Sequence, residues 1–137
     1  LSESTKQAVF REMSETLQAI RSGKDWSTRK ISNSVDSLLT DVLNSKEVLL
    51  QLTDIRTADN AAYLHAVNVS LISSMIGLNL GLGYSQLKDL AIGAMLHDIG
   101  KSLELPEGAD PEDPKNHHTW RGYELLRHKR EFNLLIA

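Results

Sequence analysis

Apolar residues recur at three- and four-residue spacing along most of the chain. Val9, Phe10, Met13, Leu17 and Ile20 form one stripe, and Ile31, Val35, Leu38, Leu39 and Val42 a second, which is the period of amphipathic helices. Gly23 ends the first segment, as an unstrained residue beyond a helix C-terminus does, and Ser27 or Thr28 is available to cap the second. A shorter helix reads from Val48 to Ile55. The longest is expected from about Asp59 to Leu80, burying Leu64, Val67, Leu71, Ile72, Met75 and Ile76. Gly81-Leu82-Gly83-Tyr84 breaks it, and Ser85 is expected to cap a helix that runs through Leu87, Leu90, Ala91, Ala94 and Met95 to Leu96. From Ser102 to Asn116 the chain holds all three prolines, Gly108 and several acids, the composition of a loop. Helix resumes from His117 to Arg130, and another begins at Phe132. No alternating strand pattern, internal repeat or low-complexity tract interrupts this reading, so the expected class is all-α. Residues 1–44 form an N-terminal helical segment of separate character, either a linker from a sensory domain or a helical pair packed on the core.

Composition narrows the classes further. The 137 residues are 41% hydrophobic with a formal net charge of -3, enough for one domain with a core, or a piece of a larger one. Both signs of charge are scattered, which argues against a nucleic-acid binder. With no cysteine, disulfides and thiolate metal sites are excluded, in keeping with a cytoplasmic protein. No apolar run is read as reaching the roughly 20 residues that cross a bilayer, and residues 1–6 lack the build of a signal peptide. The chain opens on Leu1 and stops at Leu134-Leu135-Ile136-Ala137 within an apolar run, which reads as a fragment of a longer protein.

The candidate chemistry lies in Ala94-Met95-Leu96-His97-Asp98-Ile99-Gly100-Lys101 and in His65. Neighbouring helical residues point about 100° apart, so His97 and Asp98 reach one ion only where the helix is ending, and Gly100 is read as supplying that ending. A neutral imidazole and a carboxylate suit divalent Mn, Fe, Co, Ni or Zn, and a carboxylate's two oxygens can bridge two ions. His65 shares a face with Ala61, Ala62 and Val69, small neighbours that leave room for a metal. Bound metal lowers the pKa of water from about 15.7 to about 7, and Lys101 is placed to neutralise a phosphoryl oxygen. Alone, a His-Asp pair reads as a surface pair or helix cap, and His65 as a satisfied or exposed histidine; the combination is much rarer. His128, within Arg127-His128-Lys129-Arg130, reads as a solvated basic helix end, and Trp26 and Trp120 as packing residues rather than stacking platforms.

His65 followed by Leu96-His97-Asp98-Ile99-Gly100-Lys101 resembles the HD superfamily of metal-dependent phosphohydrolases. More narrowly it is similar to the HD-GYP group of bacterial phosphodiesterases, which hydrolyse cyclic di-GMP. His118-Thr119-Trp120-Arg121-Gly122-Tyr123-Glu124-Leu125-Leu126 extends the likeness, because that group has a His four residues before a Gly and then a leucine-rich helix. The likeness covers about residues 54–137. It implies an HD helical bundle over 45–137, its C-terminal part lying beyond the chain, preceded by the helices of 1–44. It also implies that His65, His97 and Asp98 are metal ligands, that Asp98 bridges two ions, that His118 binds the second, and that Lys101 contacts phosphate. His118 is preferred to His117 for its spacing to Gly122. Ala61 stands where three-metal members carry Glu, which implies two ions, Fe, Mn or similar. The loop from Lys101 to His118 is shorter than usual, with Leu105-Pro106 nearest to the group's Ile-Pro segment. The group's paired histidines, Gly-Tyr-Pro and closing Asp belong to a region past Ala137, so this fragment is expected to bind metal weakly or not at all and to be inactive. The bare apolar surface left by missing helices would favour a homodimer. The function implied is hydrolysis of a cyclic dinucleotide in bacterial signalling, with a sensory domain fused upstream. The alternatives are an HD phosphohydrolase of other nucleotides, such as guanosine tetraphosphate, and a non-catalytic HD signalling module.

Overall fold

The computed structural model describes residues 3–44, 61–132 and 136–137. These hold five α-helices and no strand: α1 (Glu3–Arg21), α2 (Thr28–Asn44), α3 (Ala61–Asn79), α4 (Tyr84–Leu96) and α5 (His118–Arg127). Short 3-10 turns follow α4 at Ile99–Ser102 and precede α5 at Pro114–Asn116. The fold is all-α, as the periodicity requires. The helix expected at Val48–Ile55 and the residues Leu134 and Leu135 lie outside the described residues.

The first two stripes do what their spacing dictates. Val9, Met13, Leu17 and Ile20 of α1 are buried together with Ile31, Val35, Leu38, Leu39 and Val42 of α2, each such side chain contributing roughly 1.5–3 kcal/mol on leaving water. Gly23 adopts φ 66°, and its N–H donates to the Ile20 carbonyl at 3.1 Å while that of Lys24 donates to Ala19 at 2.9 Å, closing the last turn of α1. The Ser27 hydroxyl accepts from the Lys30 N–H at 3.4 Å at the start of α2. Across the pair the Ser34 hydroxyl donates to Glu12 Oε2 at 2.7 Å. The pair does not stand alone: α2 packs on α3 and α4, and α1 on α3 and on the turn Ile99–Ser102.

The buried face of α3 differs from the expected one. Ala66, Val67, Ser70, Leu71, Ser74 and Gly77 are buried, whereas Ile72 is 48% and Ile76 55% exposed. This helix is apolar on nearly every side, so periodicity does not choose a face, and packing favours the residues that let α4 come close. A Cβ on Gly77 would lie 2.9–3.0 Å from side-chain carbons of Leu90, Leu82 and Leu87. The Ser70 hydroxyl donates across the interface to the Ala91 carbonyl at 2.8 Å. The same uniform apolarity gives α3 a mean hydropathy of 1.4 over an 18-residue window, long and apolar enough by composition to span a bilayer. That corrects the expectation that no run is, although this helix is the one packed most extensively on α4. At the start of α4 the cap is Gly83 rather than Ser85, its N–H donating to Gln86 Oε1 at 3.4 Å.

A polar strap joins α2 to α4: the Tyr84 hydroxyl donates to Asp36 Oδ1 at 2.7 Å and Lys88 Nζ to Oδ2 at 3.1 Å. The hydrogen bond to Asp36, then burial and the Asp36 charge, raise the Tyr84 phenol above its ordinary value. A raised folded-state value means stability that is fully present below the unfolded pKa, about 10, and lost as pH climbs through the folded one. Tyr84→Phe is therefore expected to be less stable than the parent at about pH 8, with the gap in thermal midpoint closing above about pH 10. A gap that stays constant across that range would show that the strap is not the source.

Candidate metal centre

The α-helix ends at Leu96, and the backbone turns at the next two residues. His97 keeps helical angles (φ -57°, ψ -31°) while Asp98 shifts to φ -106°, ψ 15° before the 3-10 turn begins. This break lets adjacent side chains converge on His65 of α3. Asp98 Oδ2 lies 3.2 Å from His97 Nε2, 3.6 Å from His65 Nε2 and 3.2 Å from Lys101 Nζ. The other oxygen, Oδ1, lies 3.4 Å from His118 Nε2. One carboxylate thus stands between imidazoles from three segments, with different histidines at its two oxygens.

The donor set fits a divalent cation. One ligand atom from each of His65, His97 and Asp98 lies within 4.8 Å of the others, and donors about 2.1 Å from a common ion sit roughly 3–4 Å apart. His97 Nδ1 is 2.6 Å from the Ala94 carbonyl, which can only accept, so that bond occupies Nδ1 and fixes the ring with Nε2 toward Asp98. Burial alone would push the Asp98 carboxyl up; the Lys101 hydrogen bond and the charges of His97, Lys101 and His118 outweigh it and hold the group below the usual carboxylate range. Asp98 is accordingly ionised at neutral pH.

His118 arrives by a separate route. The first turn of α5 is capped by His117, whose Nδ1 accepts from the Thr119 N–H at 3.4 Å and lies 2.8 Å from its hydroxyl. Thus His117 closes the helix and His118, one residue on, faces Asp98. The helix starts at His118 and ends at Arg127, shorter at both ends than the sequence pattern indicated. Its approach depends on two glycines. A Cβ on Gly100 would fall onto the His118 carbonyl oxygen and within 2.7 Å of the Gly122 N, and one on Gly122 would lie 3.3 Å from the Gly100 N. Gly100 is not among the glycines at positive φ, which are Gly23, Gly81 and Gly108. The expectation that it ends the helix through its conformational freedom is corrected: its lack of a side chain admits the backbone of α5.

Arg21, at the end of α1, was not among the sequence candidates. It lines a cavity of about 330 Å³ together with His65, Asp98, Lys101 and the small residues Ala61 and Ala62. No local signal marks it, because only the packing of α1 on the turn Ile99–Ser102 brings it there. On the other side, a groove of about 740 Å³ reaches His97 between α3, α4 and α5. Of the two tryptophans, Trp26 is buried under Lys129 and Phe132, but Trp120 is 44% exposed and is not the packing residue expected. His128 is exposed beyond the end of α5, 3.8 Å from Glu124.

Residues 62–137 match the HD domain family. Over 126 residues the chain is 31% identical to a cyclic di-GMP phosphodiesterase of Pseudomonas aeruginosa, a match covering 85% of this chain and 30% of that protein. The chain therefore spans less than a third of the length of this curated relative. No solved structure matches the chain. The family match takes in more than half of the residues, including the four that surround Asp98, and the chain belongs to the HD domain family.

Proposed function

We propose that this chain forms part of a metal-dependent phosphodiesterase that hydrolyses a cyclic dinucleotide, cyclic di-GMP, in bacterial signalling. The observation that carries the reading is the Asp98 carboxylate, with His65 and His97 at one oxygen and His118 at the other. In this reading His65, His97 and Asp98 hold one divalent ion, and Asp98 with His118 holds a second, Fe, Mn or similar. Such ions supply Lewis acidity and lower the pKa of water at the phosphodiester. Ala61, one turn before His65, offers no carboxylate for a third. Lys101, hydrogen-bonded to Asp98 at 3.2 Å and largely exposed, is free to turn its ammonium toward a phosphoryl oxygen, and Arg21 faces the same cavity. Water adds across one phosphodiester, breaking the P–O bond to a ribose and leaving a linear dinucleotide. The name of the Pseudomonas relative supports this substrate, and the contact of α1 with the turn that carries Lys101 offers an upstream sensory domain a route to the site.

The test is product analysis with the full-length protein, Mn²⁺ and cyclic di-GMP. Linear dinucleotide is expected, and Lys101→Ala should lower kcat about 10²-fold or more, as loss of one group that stabilises transition-state charge does, without changing the fold. Hydrolysis of guanosine tetraphosphate in place of cyclic di-GMP would overturn the substrate assignment. An ion-loaded protein that cleaves neither would point to a signalling module instead.

A further inference from the structure

A second concave surface lies on a different face of α5. It is a groove of about 1010 Å³ between the α1–α2 turn, Leu103 and Lys115, and the Trp120 side of α5, and none of His65, His97, Asp98 or His118 lines it. Its charges do not balance. Of its two carboxylates, Asp25 is held by Lys129 at 3.1 Å, and Glu124 faces Arg127 at 3.6 Å and His128 at 3.8 Å. Lys24, Lys115 and Arg121 also line the groove, and none has an ion-pair partner among the described residues. Beside them Trp120 is 44% exposed, its ring 5.7 Å from that of Tyr123, while Leu103 and Leu125 supply an apolar floor.

An exposed indole and unpaired cations around an apolar floor ask for a ligand that is both planar and anionic. Lysine and arginine bind phosphate through charge-assisted hydrogen bonds, and a purine stacks on an indole face regardless of its edge pattern. A groove of this size accommodates a small ligand of that kind. We propose that it binds a purine mononucleotide, its ring on Trp120 and its phosphate among Lys24, Lys115 and Arg121. This site is separate from the Asp98 centre and does not rest on the catalytic reading.

The test titrates the chain with N-methylanthraniloyl-labelled GMP in EDTA, following energy transfer from tryptophan and the anisotropy of the label. Saturable binding is expected below about 1 mM, with unlabelled GMP competing and guanosine or inorganic phosphate each at least about tenfold weaker. Trp120→Ala and Arg121→Glu should each weaken binding about tenfold or more, with Lys115→Glu as a second charge reversal should Arg121→Glu not fold. No saturation in that range, binding that needs Mn²⁺, or binding indifferent to the folded variants would overturn the proposal. Equal competition by phosphate alone would also overturn it, since the indole would then have no part.

Discussion

Gly100→Ala is expected to separate α5 from the turn Ile99–Ser102 and to carry His118 away from Asp98. The added methyl would meet the His118 carbonyl and the Gly122 N, which are backbone atoms and cannot swing aside as a flexible side chain can. Relief requires a shift of the helix itself. Overpacking in a filled interior costs about 1–3 kcal/mol and sometimes more, and a rigid backbone neighbour places this case at or above the upper end. Against a domain's total of roughly 5–15 kcal/mol, the urea midpoint should fall steeply. Mn²⁺ affinity should fall with it, because one imidazole leaves the carboxylate. Gly93→Ala provides the contrast within α4. Its Cβ would lie 3.7 Å from the Ile136 carbonyl oxygen, an ordinary contact, and alanine in mid-helix is favoured over glycine by about 1 kcal/mol. Gly93→Ala should therefore be neutral or stabilising. If the two substitutions behaved alike, the close approach of α5 would not be what Gly100 is for.

Asp98→Asn is expected to have the largest effect on ion binding and a small one on folding. Without ions, the change removes the negative charge that Lys101 and three imidazoles share, but these contacts are partly exposed to solvent, where ion pairs contribute at most about 1 kcal/mol. With ions the balance is different. The carboxylate supplies two of the five donor atoms in the cluster, and it is the group common to both proposed ion positions. Losing an outer partner of a metal ligand already costs about 10–100-fold in affinity, so removing the shared ligand's charge should cost more than about 100-fold. Titration of the full-length protein with Mn²⁺ measures this directly. Thermal unfolding gives a second readout, because an ion that binds the native state raises the midpoint; that rise should vanish in Asp98→Asn while the ion-free midpoint barely moves. An ion-dependent rise that survives would remove Asp98 from the centre. The five donor atoms among the described residues fall short of filling two coordination shells, so these residues alone are expected to hold the two proposed ions weakly.

The readable parts of the chain were those whose meaning is local. The stripes of α1 and α2 are legible because their opposite faces are polar, so only one arrangement buries them. The ends at Gly23 and Gly81 are legible because a left-handed residue after a helix is almost a glycine property. His-Asp at an apolar helix end is legible as chemistry because few structural roles need that pair followed by Gly and Lys. Where the local pattern is degenerate, reading fails. In α3 the apolar residues surround the helix, and the choice between Ile72 and Ser74 as buried positions is made by α4. Ser85 and Gly83 are both competent caps, and α4 begins directly after the second. Trp120 carries no mark that separates an exposed indole from a buried one.

By itself, then, the amino-acid sequence determined the helical class, several of the helix ends and the residue types of a candidate metal centre, because periodicity, capping and ligand chemistry act within a few residues. Tertiary structure alone decided which histidine meets which oxygen of Asp98, why Gly100 has no side chain, and that Arg21 of α1 shares a cavity with His65. Each of those facts depends on segments tens of residues apart being brought within a few ångströms, and the packing of α1, α4 and α5 is what brings them there.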